Sequence, residues 1–330
     1  MKLTRPSFIA CVGHAGLVLA LWPCQGGAPE AAVGNPQSPD VIPFRLAVTE
    51  AMVRGVNAND AVASLRVWLG TLADVHEVHA LPAPRLYADT ADLAEALRRE
   101  EADAVIGTTP EYWKLREYLE PDELIVGLAG GSVWEDYLLV VSARGGAAGL
   151  SQLRGRRLAC WRGPRMSLAE PWLEVELARA KLPPLREFLS VTDYDKLSGA
   201  VLSVFFGRTD ACLVSRRGFE TMKELNPQVG ARLVVLRSSP GYVPVVFAFR
   251  KGYVGRLRQT ILEKLPEMET SPEGRQIILF FQADALIVTN AKSLEPAFEV
   301  LGAAEALRAS GPAAGREQEA GPTGTASQLP

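Results

Sequence analysis

A chain of 330 residues is long enough for about two domains of ordinary size. Hydrophobic residues make up 48% and charged residues 22%, enough apolar surface to offset the entropy of ordering, so wholesale disorder is excluded. With 35 Lys+Arg against 38 Asp+Glu, a formal charge of −3, the chain has no general field for a polyanion, and nucleic acid is not expected as a partner.

Three His and four Cys, two of the Cys within the first 24 residues, assemble neither a disulfide scaffold nor a zinc cluster. No metal and no cofactor is expected. Lys2 and Arg5 precede a mostly apolar stretch over 8–22, shorter than the roughly 20 residues of a membrane-spanning helix and patterned like a secretory signal. Cleavage after Ala28 or Ala31 lacks a clean small-x-small pattern because Pro29 and Glu30 intrude. Acylation of Cys24 is the other reading, against the grain of Trp22 and Pro23, and an uncleaved anchor is the third. The stretches 26–43 and 310–330 are rich in Gly, Ala and Pro and read as tethers. Residues 1–43 are thus signal and spacer, and 309–330 a tail.

The folded part begins with a strand over 44–48. A helix follows, opened by Asn59-Asp60, with Val62, Leu65, Trp68, Leu69 and Leu72 at spacings of three and four. A second strand over 78–81, a helix around 93–97 and a buried strand over 104–106 complete an alternation that implies a parallel α/β sheet. The strand pattern 136–142 is followed by Arg144-Gly145-Gly146, where the crossing to a second lobe is expected. That lobe reads as strand 157–161, helix 168–180, strand 187–191, helix 193–205, strand 211–214, helix 219–225 and strand 232–236. Strand 243–250 then leads to three helices over 254–265, 272–281 and 294–307, with Ser271 as N-cap and Pro272 at the first helical position of the second. All three are expected to return to the first lobe. The lobes are accordingly 44–141 plus 244–308, and 142–243.

An internal likeness supports two similar lobes. Asp103-Ala-Val-Ile-Gly-Thr108 and Asp210-Ala-Cys-Leu-Val-Ser215 share the order acid, Ala, apolar run, hydroxyl, each followed by an aromatic, Tyr112 or Phe219; chance accounts for so short a match about as readily. Two lobes joined by two extended crossings enclose a cleft and can hinge.

Ligands of open α/β sheets lie beyond the carboxyl ends of the strands, where helix N-termini present free N–H groups. Thr108-Thr109-Pro110-Glu111-Tyr112 fits such a turn, with Thr109 as N-cap; the same residues also make a plain cap with no ligand. Ser167 and Glu170 have capping-box spacing, and Arg165 beside them suits a bound oxyanion, or else is a surface Arg beside a capped helix. Thr192-Asp193-Tyr194-Asp195 repeats the box, with Tyr194 as a hydrogen-bond donor. Asp210 begins its strand and so points away from the cleft, which favours Ser215 at the other end. His76 and His79, three apart in a strand pattern, would face opposite ways. Without a usable His no Ser-His-Asp hydrolase is expected. Cys160 and Cys212 are either buried thiols or a disulfide. No GxGxxG or GxxxxGK[ST] occurs.

Several segments resemble a known family, the substrate-binding proteins of ABC transporters of the phosphate, phosphite and phosphonate type. They are Asp103-Ala-Val-Ile-Gly with Tyr112, Tyr137-Leu-Leu-Val-Val, Leu150-Ser-Gln-Leu-Arg-Gly-Arg-Arg-Leu-Ala, Ala200-Val-Leu-Ser-Val-Phe-Phe-Gly-Arg-Thr-Asp-Ala and Ser271-Pro-Glu-Gly-Arg, in order over 44–307. The resemblance implies a two-lobed type II periplasmic-binding-protein fold, each lobe a mixed, mostly parallel sheet flanked by helices, with a two-stranded hinge. It implies a small anionic ligand held between the lobes by Thr108, Thr109, Tyr112 and Ser167, with Tyr194 beside them, and delivery to an ABC transporter permease from the periplasm by a non-enzymatic monomer. The family's Ser/Thr-rich turn ahead of a Gly is here Arg165-Met166-Ser167-Leu168, so two hydroxyl donors have become a cation and a thioether and another anion is open. A sensor for a signalling partner and an enzyme on the same fold are the rival readings.

Overall fold

In the computed structural model, which describes residues 42–75 and 80–310, the chain alternates strands and helices twice. The first half runs β1 (Ile42–Phe44), β2 (Leu46–Thr49), α1 (Ala58–Val75), β3 (Ala80–Pro82), β4 (Arg85–Tyr87), α2 (Thr90–Arg98), β5 (Ala104–Thr108), α3 (Thr109–Leu115) and β6 (Leu119–Leu128). The second runs β7 (Tyr137–Ser142), β8 (Arg157–Trp161), α4 (Ala169–Arg179), α5 (Leu185–Phe188), β9 (Ser190–Tyr194), α6 (Leu197–Phe205), β10 (Ala211–Ser215), α7 (Arg216–Leu225), α8 (Pro227–Arg232) and β11 (Leu233–Ser238). The chain then passes through β12 (Val245–Arg250), α9 (Arg256–Lys264), α10 (Pro272–Phe280), β13 (Ala285–Thr289) and α11 (Glu295–Ser310).

Two sheets result. One has the order β13-β6-β12-β5-β2-β4 and the other β11-β7-β10-β8-β9, while β1 and β3 form a separate pair. In each sheet three successive strands of the βαβ part run parallel, β4-β2-β5 and β9-β8-β10, and the strand by which the chain enters from the other sheet, β12 or β7, runs antiparallel to both of its neighbours. Strands with both faces covered must be apolar throughout. Leu138 and Val140 of β7 accordingly fill one face of the second sheet while Leu139 and Val141 fill the other.

That packing moves one lobe boundary. The run 137–142 pairs with β10 and β11, so it belongs to the second sheet, and the crossing lies at 129–136 rather than at Arg144-Gly145-Gly146. The return crossing is 239–244, and the two crossings pair through Glu135 and Tyr242, with N–H to O distances of 2.8 and 3.1 Å in the two directions. The C-terminal helices also divide. Leu257, Ile261, Ile277 and Ile278 of α9 and α10 enter the first-lobe core. Ala297, Val300, Leu301 and Ala304 of α11 instead enter the second-lobe core, among Trp172 and Leu173 of α4. Its apolar residues fit that groove, so 295–308 does not cover the first lobe alone.

Residues 192–195 differ from the capped helix expected there. Thr192, Asp193 and Tyr194 lie in β9, paired with β8, and the helix begins only at Leu197. β-branched Val191 and Thr192 with Tyr194 favour extended chain over a helical turn. Cys160 and Cys212 are free and buried. Cys212 pairs with Ala159 and Leu213 with Cys160, a one-residue offset that sends the two thiols into opposite cores. Among the described residues no helix is long and apolar enough to cross a membrane. The signal, the lipid-anchor reading of Cys24, and the pair His76 and His79 lie outside the described residues.

Candidate functional site

The carboxyl ends of β2, β5 and β8 converge on a cavity of about 320 Å³ between the lobes. Ala51 and Arg54 reach it from the turn after β2, Thr108 and Pro110 from the turn after β5, and Arg162 and Ser167 from the turn after β8. Glu170, Glu174 and Arg308 close its rim. Three guanidiniums thus face two carboxylates. Arg308 is paired with Glu174 at 2.9 Å, and Arg162 with Glu170 at 2.8 Å and Asp193 at 2.6 Å. Burial works against the Arg162 charge, but the hydrogen bonds to Glu170 and Asp193 outweigh it and raise the pKa further above its ordinary value. The buried Nε of Arg162 has no acceptor, and Arg54 has no carboxylate partner among the described residues. The cavity therefore offers one cation, Arg54, that no carboxylate among the described residues compensates.

On the first-lobe side the donors are already spent. Thr108, not Thr109, is the N-cap of α3. One carboxylate oxygen of Glu111, Oε2, accepts from the Thr108 N–H, the Thr108 hydroxyl and the Thr49 hydroxyl, each at 2.8 Å. The capping box T-x-x-E is legible in the sequence and explains why this helix starts where it does. Thr109 is fully buried and its hydroxyl donates to the Val243 carbonyl at 2.6 Å, tying the first lobe to the return crossing. Tyr112 stacks on Phe298 of α11 at 6.2 Å, and burial pushes its hydroxyl up to about 12. Neither of these two lines the cavity.

The second-lobe turn departs from the capping box expected of Ser167 and Glu170. Leu168 is the N-cap of α4 and no side chain caps it, because Glu170 is drawn to Arg162. The Ser167 hydroxyl donates to the Pro244 carbonyl at 3.0 Å, across to the return crossing. Arg165 is turned away from the cavity. Its Nε donates to Oε2 of Glu135 at 2.7 Å, with both side chains about 95% removed from solvent, and its carbonyl accepts from the Tyr137 hydroxyl at 2.9 Å. Gly127 permits this packing, since a Cβ there would lie 2.9 Å from the Cβ of Ala283 and 3.5 Å from Nη1 of Arg165.

Tyr194 packs beside Gly199 and contributes to the second-lobe core. Ser215 is buried as the N-cap of α7, its hydroxyl accepting from the Gly218 N–H at 3.1 Å. Of the seven residues singled out, the structure brings Thr108 and Ser167 to one cavity and gives the other five structural partners. Arg54, Arg162 and Arg308 are absent from that set. Arg162 stood in the right turn, whereas Arg54 and Arg308 are ordinary surface arginines in sequence and become neighbours only through the fold.

The profile described as "ABC transporter, phosphonate, periplasmic substrate-binding protein" matches residues 63–294. No curated protein matches the sequence. Among solved structures, a Xanthomonas citri protein bound to chloride is similar at 17% identity and a TM-score of 0.59, covering 81% of this chain and 99% of its own. A binding-protein component of a Pseudomonas aeruginosa phosphonate ABC transporter is similar at 11% identity and 0.56, covering 83% and 90%. A Prochlorococcus marinus protein in complex with methylphosphonate is similar at 13% identity and 0.52, covering 78% and 96%. At these identities the likeness is one of fold.

Proposed function

The chain belongs to the periplasmic phosphonate substrate-binding family of ABC transporters, and from that premise we propose that it captures a small oxyanion in the interlobe cavity. Closure of the lobes about the crossings 129–136 and 239–244 would present the ligand to a membrane permease. The proposal takes the first lobe as 42–128 with 245–289 and the second as 137–238 with 295–310. The protein acts as a monomer, without nucleic acid, and catalyses nothing itself.

The observation that carries the reading is the cation left over at the cavity. Arg308 and Arg162 are each paired with a rim carboxylate, and Arg54 is not. At about 320 Å³ the space lies at the small end of the roughly 300–1,000 Å³ of ligand cavities, which suits an anion of few heavy atoms. The methylphosphonate held by the Prochlorococcus marinus structure supports a ligand of that class. In this reading Arg54 binds the anion and Arg162, held by Glu170 and Asp193, adds positive charge at the wall. Thr108, Thr109, Tyr112, Arg165, Tyr194 and Ser215 shape the turns around it, and Ser167 holds the closed state through Pro244.

Titration calorimetry of the full chain with inorganic phosphate, phosphite, methylphosphonate and a sulfonate tests the proposal. At least one is expected to bind, and Arg54→Gln to weaken it about tenfold or more, since a hydrogen bond to a charged group contributes about 1.5–3 kcal/mol. No binding of any of the four refutes it.

A further inference from the structure

The end of the second sheet opposite the cavity has a different character. β7 runs antiparallel to both β10 and β11, and β10 runs parallel to β8, so this end collects the start of β8, the loops before β8 and β10, the last residue of α8 and the turn after β7. Each contributes arginine: Arg144, Arg154, Arg156, Arg157, Arg208 and Arg232, all exposed. The carboxylate among them, Asp210, is engaged by Arg156 at 3.5 Å and Arg157 at 3.1 Å. Glu187 and Glu224 stand on the flanking helices α5 and α7. Six guanidiniums therefore face three carboxylates in a chain whose formal charge is −3, and Arg144 and Arg208 have no carboxylate partner among the described residues.

Apolar side chains are exposed beside this charge. Phe206 is 65% exposed and stands edge-on to Phe205 at 5.1 Å, and the Arg232 guanidinium lies 4.7 Å over the Phe205 ring. Leu225, at the end of α7, is 78% exposed. A cavity of about 240 Å³ lies within the patch, lined by Arg144, Arg156, Gly145, Gly146, Thr209 and Asp210. A polyanionic protein would use the charge and leave Phe206 and Leu225 in water. A bilayer surface uses both, because arginines bind its phosphodiesters while an aromatic and a leucine enter the headgroup boundary.

We propose that this end of the second lobe docks on an anionic phospholipid surface, with Phe206 and Leu225 entering the interface, Arg144, Arg208 and Arg232 on the headgroups, and one phosphodiester seated beside Arg144 and Arg156. Docking there leaves the cavity at the other end of the sheet free, so the two activities are independent.

Co-sedimentation of the full chain with vesicles tests this, comparing phosphatidylcholine alone with phosphatidylcholine containing phosphatidylglycerol. Binding is expected on the second alone and is expected to fall as salt is raised. Arg144→Gln/Arg208→Gln, two exposed positions without ion-pair partners, is expected to weaken it about twenty-five-fold, at about fivefold per arginine near the surface. Phe206→Ser is expected to weaken it further, and Arg98→Gln on the first lobe to leave it unchanged. Equal binding to both vesicles, full binding by the Arg144/Arg208 variant, or retention on polyglutamate with none on vesicles would each overturn the proposal. So would saturation by inorganic phosphate without any vesicle binding.

Discussion

The two lobes solve the same construction problem with the same parts and finish it differently. In each, an aspartate just before the central strand clamps the neighbouring parallel strand. Asp103 accepts from the backbone N–H of Arg45 at 2.8 Å and from its guanidinium at 2.9 and 2.7 Å. Asp210 accepts from the N–H of Arg157 at 2.9 Å and its Nε at 3.1 Å. At the far end of each strand a hydroxyl, Thr108 or Ser215, caps the next helix, and a buried aromatic follows. The short sequence match is therefore a repeated structural device.

The difference lies in burial and in the third helical residue. Asp103 is 1% exposed and Asp210 23%. Glu111 fills the first cap with its carboxylate, whereas Gly218 offers only its N–H to Ser215. One chemical motif is thus structural glue in one lobe and a partly solvated surface pair in the other.

Three tests separate these cases. The largest is Asp103→Ala, which strands a buried N–H and most of a guanidinium's bonds and is expected to cost about 3 kcal/mol. Asp210→Ala is expected to cost about 1 kcal/mol, as for a solvated pair. Urea unfolding of both variants measures the gap, and equal losses would break the comparison. Next, Ser215→Ala removes the sole side-chain cap of α7 and is expected to cost about 1 kcal/mol. Thr108→Ala leaves Glu111 its bonds to the backbone and to Thr49, so about half that is expected from the same measurement.

The smallest effect concerns pH. Burial pushes the Asp210 carboxyl up, but the hydrogen bonds and charges of Arg157 and Arg156 outweigh it and hold the value below the ordinary one. A carboxyl depressed on folding adds stability above its unfolded value, and that stability disappears as pH falls through the folded value. Asp210→Asn is accordingly expected to flatten the fall of melting temperature below about pH 4. A variant whose acid limb matches the parent would remove the pair from the account.

Much of the fold was legible because its signals are local. The buried strand at Ala104 needs only an apolar run. The cap at Ser271, whose hydroxyl accepts from the Gly274 N–H at 2.9 Å, needs only four residues. β6 was missed because Pro121, Asp122 and Glu123 interrupt its first half, and β13 because Ile287 and Val288 remain partly exposed at a sheet edge. Residues 187–194 were misassigned because short elements follow each other without a turn signal, and pairing with β8 decided the outcome.

The site was legible as turns and not as contacts. Thr108 and Ser167 were placed at the cleft by their position after strands, a rule of topology that local sequence satisfies. What they touch depends on groups far along the chain: Pro244 for Ser167, Glu135 for Arg165, and Arg54 beside Arg162 across the lobes. Local sequence settled most of the alternation of strands and helices and the cap at Ser271, because each depends on neighbours within a few residues. Only the packed fold decided where the chain crosses between lobes, which lobe α11 joins, and which guanidinium at the cavity has no carboxylate partner among the described residues. Those outcomes turn on which apolar faces and opposite charges meet over a hundred residues or more, as Arg308 meets Glu174.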